Sequence, residues 1–200
     1  MEITKDQRHG EPADDPALRI LATARRLFYA AGFPTTGINQ IIEESGTSKK
    51  SFYRYYPSKN DLGLAYLDIE KRDYLNLFRG MSKRYPHHAD FVRAWCFILR
   101  KEIEKQRYHG CPFANFAGQT TPEADDRFGP MLQRVITDWH ALLVEQLIHG
   151  KPAFAAAKAE RTAERMLMLY EGAIALWRMT GEESYFQRLE RELLESVEPT

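Results

Sequence analysis

The tightest constraint on this chain is the punctuation of its first third, where helix-opening and helix-closing residues alternate too quickly for any long element. Asp15 and Pro16 open a first helix, which Gly32 and Pro34 close. Thr36 is a candidate cap for a short second helix that Gly46 ends, and Ser48 caps a third that runs to about Tyr56, before Pro57. Ser58 then opens a longer fourth helix, expected to reach about Met81. The apolar residues agree with this division. Ile20, Leu21, Ala24, Leu27, Phe28 and Ala31 share one face of the first helix, and Ile38, Ile41 and Ile42 share one face of the second.

Beyond Pro86 the spacing of apolar residues at three and four continues, predicting helices over 89–108, 112–119, 125–149, 153–180 and 182–197. No run alternates apolar and polar residues between turn signals, so the fold class is all-α, about nine helices, with the later ones forming an antiparallel bundle. The expected organisation is a disordered arm over 1–14, a compact three-helix domain over 15–62, and a second helical domain over 63–200. With 44% hydrophobic and 12% aromatic residues, 200 residues suffice for a real core. No apolar run approaches the roughly 18 residues of a membrane span, and Met1 to Asp15 is too polar for a signal peptide. A cytoplasmic location is therefore predicted, with Cys96 and Cys111 as free thiols because neither belongs to a CxxC pair.

Net charge is zero, so any basic function must be local. Between Thr47 and Lys59 stand Lys49, Lys50, Arg54 and Lys59 with no acidic residue among them. If Ile38, Ile41, Ile42 and Phe52 face the first helix, the opposite side of the third carries Lys49, Lys50, Tyr53 and Arg54 outward. Two short helices joined at a glycine, the second opening on a hydroxyl cap, make a helix-turn-helix. The DNA major groove admits one such helix, with its N-terminal residues at base edges. Lysines there reach guanine O6 or N7, while Thr36, Ser48, Tyr53, Tyr55 and Lys59 have the length and chemistry to hold phosphates. The competing explanation is a solvated charge run. Exposed Tyr-Arg-Tyr-Tyr over 53–56 argues against it, since clustered exposed aromatics usually serve contacts.

Other chemistries find less support. Gly46-Thr47-Ser48-Lys49-Lys50-Ser51 is similar to a phosphate-binding loop but lacks the glycine before the lysine, the leading glycine and the preceding strand. His87 and His88 are adjacent rather than one turn apart, and His109 with Cys111 supplies only two potential metal ligands. Asp138 and His140 have no nucleophile elbow nearby. Neither a cofactor nor an enzymatic activity is expected.

Ile20-Leu21, Leu27-Phe28, Gly32-Phe33, Ile38 to Ile42, Gly46-Thr47-Ser48-Lys49, Phe52-Tyr53 and Tyr56-Pro57-Ser58-Lys59-Asn60-Asp61-Leu62 together resemble the DNA-binding domain of the tetracycline-repressor (TetR) family, over about residues 16–65. The resemblance implies a homodimeric regulator that places its third helix in the major groove of a roughly palindromic double-stranded operator. By position in that motif, Thr36, Ser48, Tyr53, Tyr55 and Lys59 would contact phosphate, while Lys49, Lys50 and Ser51 would lie nearest the bases. Lys50 stands where the family usually has a small residue, and Arg54 and Tyr55 occupy variable places. The operator sequence therefore does not carry over.

The same resemblance puts an effector pocket and the dimer surface in the C-terminal part, with the last two helices pairing with their symmetry mates. Its aromatic content suits a small, largely apolar or aromatic effector that releases the repressor from DNA. Trp95, Leu99, Cys111, Phe113, Phe116, Trp139, Met166, Tyr170 and Trp177 are the candidate lining residues. Gly110-Cys111-Pro112-Phe113-Ala114-Asn115-Phe116-Ala117 resembles the start of the sixth helix in a subset of the family, with Gln119 where an acidic residue often follows. In some relatives that cysteine senses electrophiles or oxidants, which makes a redox switch at Cys111 the alternative. Its only flanking base in sequence is His109, and a buried thiol behaves as a small hydrophobe.

Overall fold

The computed structural model describes residues 15–105, 108–121 and 125–198. The arm expected over 1–14 lies outside the described residues. Among those residues the chain forms α1 (Pro16–Ala31), α2 (Ile38–Glu44), α3 (Lys49–Tyr55), α4 (Lys59–Arg84), α5 (His88–Glu104), α6 (Pro112–Gln119), α7 (Phe128–His149), α8 (Ala156–Thr180) and α9 (Ser184–Ser196). They group into two compact units, Met1–Tyr66 and Leu67–Thr200, so the boundary falls inside α4.

In the first unit the caps follow from local chemistry. Asp15 accepts from the Ala17 amide at 2.9 Å, and Ser48 from the Ser51 amide at 3.0 Å. Ser58 Oγ accepts from the Asp61 amide at 3.1 Å and donates to the Asp61 carboxylate at 2.6 Å, a reciprocal capping arrangement. Gly46, at φ 61°, ends α2: its amide reaches Glu43 O at 3.1 Å while the Thr47 amide reaches Ile42 O at 3.1 Å. Only a residue without Cβ takes that backbone cheaply.

One cap differs from expectation. Gly37 occupies the N-cap of α2, and Thr36 is buried, its hydroxyl donating to Gly32 O at 2.8 Å. The threonine thus ties the α1–α2 turn together. Ile20, Ala24, Ile41, Phe52 and Leu62 are fully buried, with Phe28 edge-on to Phe33 and Tyr66 at 5.0 and 5.6 Å. Ile38 and Ile42 are only half-buried, leaving Ile41 as the anchor of α2.

In the second unit α8 packs against α7 and α9, α9 also against α5, and α6 against α7. Several ends shift from the sequence expectation. α4 continues to Arg84 rather than Met81, and α5 stops at Glu104. α7 begins at Phe128, because Asp125 folds back to accept from the Arg127 amide at 3.0 Å. α8 begins at Ala156, after Phe154 donates its amide to Leu147 O at 2.9 Å and the chain turns. Among the described residues, no helix is long and apolar enough to cross a membrane.

Candidate nucleic-acid interface and buried polar cluster

α3 sorts its side chains by face. Phe52 points inward and is completely buried, its ring edge-on to Tyr53 at 5.3 Å. Lys49, Lys50, Tyr53, Arg54 and Tyr55 are all exposed, with Ser48 beside them and Ser51 half-exposed. The Arg54 guanidinium lies 5.6 Å from the Tyr55 ring centre. Glu44, at the end of α2, is bound by Arg26 and also accepts from Gln40 at 2.9 Å. Those two partners hold the Glu44 carboxyl below its usual range, Arg26 contributing most. Among the described residues, no ion pair involves Lys49, Lys50 or Arg54.

The flank of α3 is held from behind. The Tyr56 hydroxyl donates to Ala17 O at 3.2 Å, and partial burial with the nearby Asp15 charge raises its pKa. Lys59 donates to Pro34 O at 3.1 Å and sits 4.7 Å from the Phe33 ring centre. Burial lowers its pKa. Thr36 presents no free hydroxyl on this surface.

The second unit concentrates its polar chemistry inside. Trp95, Trp139 and Tyr170 form a mutual aromatic cluster at 5.0–6.1 Å, which Tyr74 and Phe78 join and Phe113 reaches through Tyr74 at 5.9 Å. Leu99 and Met166 are also buried. Phe116 meets Phe128 at 4.9 Å, and Trp177, half-exposed, lies between Tyr108 and Phe186 at 5.7 and 5.2 Å.

Through this cluster runs a chain of hydroxyls: Tyr170 bonds both Tyr74 and Tyr108, the latter at 3.0 Å. The Trp139 indole N–H is buried without a hydrogen-bond partner. A purely apolar interior would carry none of these groups, since each costs free energy unless paired.

Cys111 is buried beside Glu171, with which it shares a hydrogen bond. Burial, the Glu171 charge and that bond together push the thiol well above its ordinary pKa. Burial also raises Glu171. Cys96 is pushed up to about 12, chiefly by burial.

Sequence reasoning missed Glu171 as the partner of Cys111, because 60 residues separate them and only the packing of α6 against its neighbours brings them together. It also left Tyr74, Phe78 and Tyr108 outside the candidate set; their aromatic character was the one signal present. Among the described residues, no group of three or more His, Cys, Asp or Glu side chains is arranged to hold a metal ion.

Residues 20–66 match the model for bacterial regulatory proteins of the tetR family, and residues 89–192 match the C-terminal domain of LmrA/YxaF-like transcriptional regulators. The chain is 40% identical over 164 residues to the HTH-type transcriptional regulator LmrA of Bacillus subtilis, covering 81% of this chain and 86% of that protein. It is 26% identical over 167 residues to YxaF of the same organism, an HTH-type transcriptional regulator, covering 81% and 84%. Among solved structures, a TetR transcriptional regulator from Legionella pneumophila superimposes with a TM-score of 0.79 at 18% identity, covering 92% of this chain and 98% of that one. The reduced form of E. coli NemR gives 0.77 at 18% identity, covering 93% and 98%. At such identities the structural matches report the fold alone.

Proposed function

The chain belongs to the TetR family of helix-turn-helix DNA-binding transcriptional regulators, and we propose that it is a repressor released from its operator by a small, largely aromatic effector held in the second unit. The observation that carries the DNA half is the outer face of α3, where exposed Lys49 and Lys50 stand over a buried Phe52. Lys49, Lys50 and Ser51 read base edges; Ser48, Tyr53, Arg54, Tyr55 and Lys59 hold phosphates. Thr36 leaves the phosphate-binding set, since its buried hydroxyl is committed to Gly32.

The effector site is built on the aromatic cluster of Trp95, Trp139 and Tyr170, which pack ring to ring, with Phe113 joined to it through Tyr74. Dimerisation uses α8 and α9. Met168, Gly172, Ala175 and Met179 recur at four, three and four along the exposed side of α8, a spacing that keeps one seam against a partner helix. Met168 and Met179 are 62% and 79% exposed, an apolar surface in need of a cover. A twofold dimer places its recognition helices about 34–36 Å apart, one turn of B-DNA. Effector binding tilts α4, which runs from Lys59 to Arg84 as one helix, and moves the heads off register.

A switch through Cys111 has poorer chemistry, because the thiolate is the reactive form and burial beside Glu171 disfavours it. The test is operator binding by fluorescence anisotropy, using DNA upstream of the gene, with and without a library of aromatic compounds. Salt-sensitive, sequence-preferring binding relieved by a library member is expected, and Cys111→Ser retains that response. Sequence-independent binding would remove the regulator reading. A response lost in Cys111→Ser but kept in Cys96→Ser would favour the thiol switch.

A further inference from the structure

The C-terminal turns of α4 and α7 enclose a cleft of about 310 Å³, separate from the residues assigned above to DNA or effector. Its α4 wall is cationic, while the α7 wall carries a carboxylate, with His149 at its end. From α4 come Arg79 and Lys83, one helical turn apart and both exposed; Arg79 donates to Asn76 Oδ1 at 3.3 Å. From α7 come Glu145 and Gln146. Gln146 spends its amide N–H on Tyr85 O at 3.3 Å, which leaves its carbonyl oxygen as an acceptor. Among the described residues, no ion pair joins Glu145 to Arg79 or Lys83 across the cleft.

Leu142 and Pro86 add apolar lining between the charged walls. The lining is tightly packed at Gly150, where a Cβ would stand 2.5 Å from both Gln146 O and the His88 ring. Ser82 lines the same space, and its hydroxyl is covered with no hydrogen-bond partner. Lys83 can be explained as compensation for the dipole of α4, whose last turn it occupies. That explanation leaves Arg79, Glu145 and the unsatisfied Ser82 unaccounted for.

We propose that this cleft binds a small zwitterion of the free amino-acid type. Its carboxylate is held by Arg79 and Lys83, its ammonium by Glu145 and the Gln146 carbonyl, and its side chain lies over Leu142 and Pro86. A simple anion satisfies only one wall, and an amine only the other. The volume sits at the small end of ligand sites, which run from about 300 to 1,000 Å³, and so favours a single amino acid over a peptide. Because the ligand bridges α4 and α7, occupancy stabilises the second unit through linkage.

The test is calorimetric titration of the full chain with the common free L-amino acids, and with 4-methylpentanoate and 3-methylbutylamine, which keep the leucine side chain but lack the ammonium or the carboxylate. At least one amino acid is expected to bind with a Kd of about 1 mM or tighter. Both truncated analogues should bind at least ~10-fold more weakly than leucine or the best binder. Arg79→Ala, Lys83→Ala and Glu145→Gln, all surface changes checked for unaltered helicity and melting, should each weaken binding by about 10-fold or more. No binding of any amino acid to the folded chain at ~10 mM would overturn the proposal. So would 4-methylpentanoate matching the parent, which makes the cleft a plain anion site, or Glu145→Gln leaving affinity unchanged.

Discussion

The two units spend their polar side chains in opposite directions. In the first, the chemistry lies outside: Phe52 and Ile41 are buried so that Lys49, Lys50, Tyr53 and Tyr55 can face solvent, and each exposed group is a near neighbour in sequence of its anchor. In the second, the chemistry lies inside, where Tyr74 and Tyr170 meet across 96 residues, Glu171 bonds Cys111, and the Trp139 N–H is sealed without a partner. A surface that binds a polyanion needs charge in water, where desolvation costs nothing until DNA arrives. If the proposed effector binds there, it meets a few polar groups set in an apolar wall, and these are held by distant parts of the chain.

The contrast can be tested by asking which unit trades stability for function. The largest effect should come from Trp139→Ala, which empties the middle of the aromatic cluster and costs about 3–5 kcal/mol, read as a lower urea midpoint. Little loss there would mean that the cluster is a loosely filled cavity. Next, Lys50→Ala should cost about 1–3 kcal/mol in operator affinity and relax base preference, with stability unchanged within about 0.5 kcal/mol. Lys59→Ala should weaken all DNA sequences alike. If Lys50→Ala also weakens all sequences equally, α3 holds the backbone and does not read it.

Ser48→Ala removes the cap of α3 and should lower stability by about 1 kcal/mol, measured by thermal melting. The smallest expected effect is a pH dependence in the second unit. His88 is buried, with Nε2–H donating to Pro152 O, and burial pulls its pKa below the ordinary 6.5. Because the folded value lies below the unfolded one, the neutral ring's contribution is fully present above about pH 6.5 and is lost as pH falls through the folded value. Melting temperature should therefore decline below pH 6.5 in the native chain, with a shallower decline in His88→Gln.

The caps show how much of the fold was legible. Asp15, Ser48, Ser58 and Gly46 each act on backbone groups within five residues, so their identities announce helix ends directly. Thr36 is not the cap of α2 because its buried hydroxyl turns back to Gly32 O, four residues earlier, instead of forward onto the helix; a threonine fits either geometry, so its identity did not choose between them. The late start of α7 is a second ambiguity of local chemistry, since Asp125 can sit inside a helical pattern or, as here, fold back to accept from Arg127 two residues on.

The sequence by itself therefore determined the all-helical fold, the helix-turn-helix and the basic face of α3, because these depend on spacing and capping within a few turns. Only the tertiary structure decided which aromatics form one cluster, that Cys111 faces Glu171, and that Arg79 and Lys83 stand opposite Glu145 across a cleft. Those facts arise where helices distant in sequence pack together. Side-chain periodicity says which face of a helix is buried, and it carries no information about what that face will meet.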